Sequence, residues 1–248
     1  MEPFRSFLLY AGLIASIGGA SLWLLRAARG GSGGAAAKIA IAGNIALALA
    51  LMWPAGETRV AARVSKLDEI APVYQFVERH EIDIPADAAA VDKAIRNVTA
   101  QEIRLYQTLT SIRRWFGSPP GANVLNAPSA KPILETALQG GFALISDEPG
   151  REIVFGAAVI APPTTPRPVT AATLLDQSAP GLARAIMNFR IEQIDPAHCR
   201  LITETRVHAT DSATARKFSW YWRLIYPGSW IIRWTWLNAI RDRAISGR

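Results

Sequence analysis

A chain of 248 residues, half of them hydrophobic and only 19% charged, has enough apolar surface for one sizeable core plus something extra, which excludes a disordered chain or a solvated tail. The formal charge of +7 favours anionic partners, phospholipid headgroups or nucleic acid, without choosing between them. The single Cys199 excludes an internal disulfide framework and leaves the redox compartment open.

Residues 7 to 25, FLLYAGLIASIGGASLWLL, carry no charge, and at 1.5 Å per residue such a helix covers about 28 Å, close to the roughly 30 Å of a hydrocarbon layer. The stretch is too long for the apolar core of a signal peptide, and its N-terminal flank is weakly basic. Trp23 suits an interfacial anchor. A second segment, Ala35 to Trp53, is Ala-rich, with Lys38 near its start and Asn44 inside; Lys38 can reach the headgroups with its amine, and Trp53 marks the far interface. A buried soluble helix is the alternative for this second segment. Between them RAARGGSGG is short enough only for a hairpin turn. No strand precedes that glycine run and no Gly-Lys-Ser/Thr follows it, so it is a linker and not a phosphate loop. The expectation is a two-pass protein of a bacterial inner or plasma membrane. Its orientation stays open, because Arg26, Arg29 and Lys38 in the hairpin face Arg5, Arg59, Arg63 and Lys66 on the flanks, three against four.

The chain then divides into a hairpin (1–56), a connector (57–72) and a larger domain (73–248). Val60, Val64 and Leu67 at i, i+4, i+7 predict a helical connector. VYQFVERHEIDI (73–84) predicts a strand on which Tyr74, Phe76, Ile82 and Ile84 share one face with Glu78 and His80. Pro85-Ala86-Asp87 opens a helix through Val98, and Thr99-x-x-Glu102 predicts the cap of a second one. Residues 117–132 read as loop. Strands follow at 141–146 and 152–160, a proline-rich loop at 161–168, and strands at 182–194 and 200–209 separated by Asp195-Pro196. Asp211 caps a long helical region to about Ile245, broken at Pro227-Gly228.

Strand, two helices, a run of antiparallel strands and a long terminal helix make an α+β chain, in which a curved sheet can wrap the helix and leave a hollow. FVERHEIDI (76–84), GGFALISDEPGREIVFG (140–156), ITETRVHATD (202–211) and FSWYWRLIYPGSWIIR (218–233) resemble the helix-grip superfamily, the START-like or SRPBCC proteins, and in particular bacterial members of that class. The resemblance covers roughly 71–246 and leaves the two apolar segments outside. It implies a helix-grip fold; function it implies only as a choice among binding, transfer and catalysis.

A carboxylate on an apolar register needs a partner, an edge or a wet cavity. Glu78 and His80 are therefore the first candidates, either contacting a ligand or tied in a salt bridge to Arg206 or another base at the sheet edge. Thr203 and Thr205 lie on the more apolar register of their strand with Leu201 and Val207, and offer hydroxyls to a ligand if that set faces inward; Glu204 and Arg206 would then solvate the outer face. If the polar register faced inward, Arg206 would join Glu78 and His80. The candidate ligand-binding set is thus Glu78, His80, Thr203, Thr205 and Arg206. A metal at Glu78, His80, Glu204 and His208 lacks any closely spaced ligand motif, so no metal and no cofactor are expected.

Residues 216–248 hold seven Arg or Lys against one acid, together with five tryptophans, a mixture suited to a lipid interface. Trp234 and Trp236 are the interfacial candidates, although about 200° of helix rotation separates them and they cannot share one core. No nucleic-acid motif is present. The leading expectation is a membrane-anchored module binding a lipid or other apolar small molecule between sheet and helix. The alternatives are a cyclase- or hydrolase-like enzyme using His80 with Glu78, and a scaffold with a filled interior.

Overall fold

The computed structural model describes residues 2–53, 55–115, 130–176 and 178–247. The chain forms two compact units, Met1–Ala55 with Ser219–Pro227, and Gly56–Phe218 with Gly228–Arg248.

In the first unit, α1 (Glu2–Ala28) and α2 (Gly34–Met52) pair as a hairpin turned through Gly30 at φ 71°. Their backbones meet through small residues. A Cβ on Gly19 would lie 2.5 Å from Ala40 N, one on Gly12 2.8 Å from Leu47 N, and one on Gly43 would run into the backbone of Ala15 and Ser16. The large apolar side chains point the other way: Phe7, Ile14 and Met52 are 68%, 71% and 82% exposed. Both helices are long and apolar enough to cross a membrane, and only 17% of each apolar window is buried. Ser219–Pro227 completes the unit. Arg223 donates to the carbonyls of Leu51 and Trp53, which the end of α2 leaves without helical partners, and Tyr10 donates to Leu224 O at 2.6 Å. Arg5 stacks on Trp53 at 5.6 Å.

The second unit is α+β. A five-stranded antiparallel sheet has the order β3 (Phe76–Ile84), β7 (His198–Ala209), β6 (Ala183–Asp195), β5 (Glu152–Ile160), β4 (Ala143–Glu148). Phe155, Met187, Phe189 and Leu201 from one face pack against α4 (Ala88–Asn97), α6 (Ile133–Gln139) and the last part of α8 (Ser212–Ser246). Phe142, Phe155, Phe189 and Trp236 follow one another at ring separations of 5.9, 6.2 and 5.1 Å. Asp87 and Asp211 cap α4 and α8 by accepting from Ala90 N and Thr214 N, as their positions predict.

Several expectations need correction. The connector is not a helix: β1 (Thr58–Arg59) pairs with β2 (Val73–Tyr74), and only α3 (Lys66–Ile70) is helical. Thr99 and Glu102 do bond, through Thr99 N at 2.9 Å, but they close a turn. α5 (Tyr106–Trp115) begins only after Leu105, whose φ of 61° interrupts a right-handed helix. α8 runs unbroken through Pro227. Two short helices, α6 and α7 (Ala171–Leu175), carry no long period and were not anticipated. Of the loop expected at 117–132, residues 117–129 lie outside the described residues.

Candidate functional site

Strand alternation decides which candidates meet. Glu78 pairs with Thr205, His80 with Thr203 and Phe76 with Val207 across β3 and β7, so all of these share the inner face. Met187 and Phe189, opposite Thr205 and Thr203 on β6, continue it.

Glu78 and His80 are 3% and 9% exposed. Glu78 Oε1 lies 2.9 Å from His80 Nε2, and Glu78 Oε2 accepts from Ser229 Oγ of α8 at 2.7 Å. The Trp230 ring stands edge-on to His80 at 5.6 Å. Among the described residues the buried carboxylate therefore has two partners, His80 and Ser229, and Arg206 is not one of them. In this order, hydroxyl to carboxylate to imidazole, the carboxylate holds the other two apart; a nucleophile relay needs the imidazole against the hydroxyl. The cluster pins β3 to α8. Thr203 Oγ1 donates to Asn188 O at 2.9 Å, and Thr205 Oγ1 is buried without a partner among the described residues.

Arg206 does not join this set. It lies on the opposite face, one residue out of register, and it is not solvated there: it is 5% exposed. Its Nη2 donates to Asp68 at 2.6 Å, its Nε to Glu204 at 2.6 Å and its Nη1 to Ala71 O at 3.0 Å, and its guanidinium covers the Tyr74 ring at 4.9 Å. The helix α3 makes this burial possible. Ser65 caps it by accepting from Asp68 N, and Asp68 accepts in return from Val64 N. The buried Glu152 of β5 takes the free N–H groups of Lys66 and Leu67 while accepting from Asn188 Nδ2 at 2.7 Å. Burial alone would raise the Asp68 carboxyl, but hydrogen bonds led by that from Arg206 hold it below the usual range.

Beside this network a cleft of about 390 Å³ opens on the outer face, lined by Arg59, Tyr74, Arg79, Arg190 and Arg206 with Asp68 and Glu204 as its acids. Arg79 and Arg190 are paired with Glu81 and Glu192 at 2.7 Å, whereas Arg59 has no ionic partner among the described residues. Sequence reasoning missed Asp68, Glu152 and Asn188. The Ser65-x-x-Asp68 spacing was the one local signal available.

Among the described residues no three His, Cys, Asp or Glu gather as metal ligands; Glu204 and His208 lie on the outer face and Glu78 and His80 on the inner one. Of the interfacial candidates, Trp23 and Trp53 are 45% and 41% exposed and Trp234 is 52% exposed, and Lys38 is exposed. Trp236 is 6% exposed, packed on Phe189, and so belongs to the core and not to an interface.

Fold and site together define an α+β chain, with a five-stranded antiparallel sheet and a long C-terminal helix, that carries two apolar N-terminal helices. Comparison with family models and with curated proteins found no match. Among solved structures, a solution NMR structure from Thermobifida fusca is similar at 17% identity and a TM-score of 0.31, over 68% of this chain and 92% of that one.

Proposed function

We propose that the protein is a membrane-tethered, helix-grip-like binding module whose ligand is a lipid or other amphipathic small molecule with an anionic head, seated in the arginine-lined cleft. The carrying observation is that cleft of about 390 Å³, in which Arg79, Arg190 and Arg206 stand in ion pairs and Arg59 has no ionic partner among the described residues. Guanidinium groups at a partly desolvated surface select carboxylate or phosphate by geometry as well as charge. The tether rests on the outward-facing apolar side chains of α1 and α2, an arrangement costly in water and favourable in lipid. A neutral apolar ligand held between sheet and α8 is the second reading, favoured by the unbonded Thr205 Oγ1 beside Glu78.

The test uses the full chain in a mild non-ionic detergent. Native mass spectrometry is expected to find a co-purified anionic ligand, and short-chain phosphatidylglycerol should bind more tightly than short-chain phosphatidylcholine. The charge reversals Arg59→Glu and Arg190→Glu together should weaken the former by about tenfold or more. Equal affinity for both lipids, or indifference to the reversals, would overturn the cleft reading. A neutral co-purified ligand that survives them would favour the second.

A further inference from the structure

Among the described residues Arg184 is an internal cation without a counter-charge. It stands on the outer face of β6, opposite His208 of β7 and Ala158 of β5, and it is 1% exposed. Its Nη1 donates to Leu174 O in α7 at 2.6 Å, and among the described residues that is its one hydrogen bond. Nε and Nη2 are buried without partners, and so is His208 Nδ1 across the strand pair. Burial pushes the guanidinium below its usual range, and desolvation together with Arg184 does the same to His208 against the smaller opposing pull of the Glu57 carboxylate, the one acid that acts on His208 among the described residues.

An uncompensated buried ion is costly against the narrow margin that separates folded from unfolded chains. The unpartnered atoms are also the informative ones. Nε and Nη2 form the edge of a guanidinium that matches two oxygens of a planar or tetrahedral anion, and a neutral imidazole protonated at Nδ1 supplies a third donor. We propose that Arg184 and His208 form an internal anion site beneath α7, taking a small oxyanion, a phosphate or carboxylate, with two oxygens on the Nε–Nη2 edge and one facing His208 Nδ1. Leu174, fully buried, fixes the remaining nitrogen and aims that edge. α7 is a helix of five residues over the site, so access needs only a short segment to move. The site is separate from the cleft: Ile186 lies between Arg184 and the cleft residue Asn188 on the same face of β6.

The experiment follows thermal unfolding of the full chain in non-ionic detergent as inorganic phosphate replaces chloride at constant ionic strength. The wild type is expected to be stabilised, its folded-to-unfolded ratio rising about a hundredfold at a hundredfold excess over Kd. Arg184→Met, which replaces an unpaired cation by an apolar chain, should fold in chloride at least as well and show no phosphate response; His208→Gln should weaken the response several-fold. Should Arg184→Met fail to fold, the His208→Gln affinity decides alone. A wild type indifferent to phosphate, meaning buried water only, would overturn the site. So would Arg184→Met or His208→Gln responding like the wild type; loss of that response in Arg59→Glu would then move the anion to the cleft. Phosphorus NMR in micelles containing phosphatidylglycerol and inorganic phosphate separates the sources: Arg184-dependent broadening of the inorganic signal assigns a free anion, broadening of the lipid signal a headgroup.

Discussion

Replacing Arg206 by Met removes a guanidinium from between two carboxylates, Asp68 and Glu204, whose side chains are only 6% and 13% exposed. Methionine follows the same path through the site but leaves both acids uncompensated and Ala71 O without its donor. Breaking a buried ion pair from one side costs about 3–5 kcal/mol, chiefly through the charge left behind, which for a domain of this size lowers the melting temperature by about 6–20 °C. The pH dependence gives the sharper criterion. Asp68 is held below its ordinary pKa in the folded state, so its contribution is complete above about pH 4 and is lost as pH falls through the folded value. In Arg206→Met the same protonation discharges a stranded carboxylate. Down to about pH 4 the wild type keeps this stabilisation while the variant, whose stranded carboxylate takes up a proton, is relieved, so the gap between them narrows toward pH 4 and closes further below it. Circular-dichroism melts of the detergent-solubilised chain at pH 7 and pH 4 measure it, and adding Asp68→Asn to the variant should recover part of the loss at pH 7. A loss under about 1 kcal/mol at pH 7, the value of a surface pair, or an equal loss at both pH values, would refute the reasoning.

Two further predictions concern packing. Gly43→Leu places a side chain where the backbone of α1 already stands, so spin labels at the outward positions Ile14 and Ile45 should move apart in electron-resonance distance measurements; an unchanged distance would show that the hairpin does not depend on small-residue contact. Trp236→Ala should destabilise the second unit by about 3–5 kcal/mol in a urea titration, whereas Trp234→Ala, on the exposed face, should change stability by less than about 0.5 kcal/mol. Comparable losses from the two would contradict the assignment of Trp236 to the core.

The quoted stretch of β3 shows how far local pattern reaches. Its period of two fixed that Glu78, His80 and Phe76 share one face, and the Thr203–Thr205 register of β7 followed in the same way, because alternation is a property of the strand itself. The helix starts at Asp87 and Asp211 were equally legible, since a cap is made with an N–H three residues away. The two long apolar helices needed only length and composition.

What lies across the sheet was not local. Ser229 is 151 residues from Glu78, and Asp68 is 138 from Arg206; nothing in the spacing of either pair selects its partner. Glu204, Arg206 and His208 alternate with apolar residues, which predicts a solvated outer face, yet polar groups buried under a five-residue helix give the same pattern. Helices as short as α3 and α7 contain too few turns to print a period, yet they decide which polar side chains of the sheet meet water. Covalent neighbours set the faces of each strand; only the closing of distant segments over those faces determined that Arg206 is satisfied, that Arg184 is not, and that the arginine cleft lies on the side of the sheet away from Glu78 and His80.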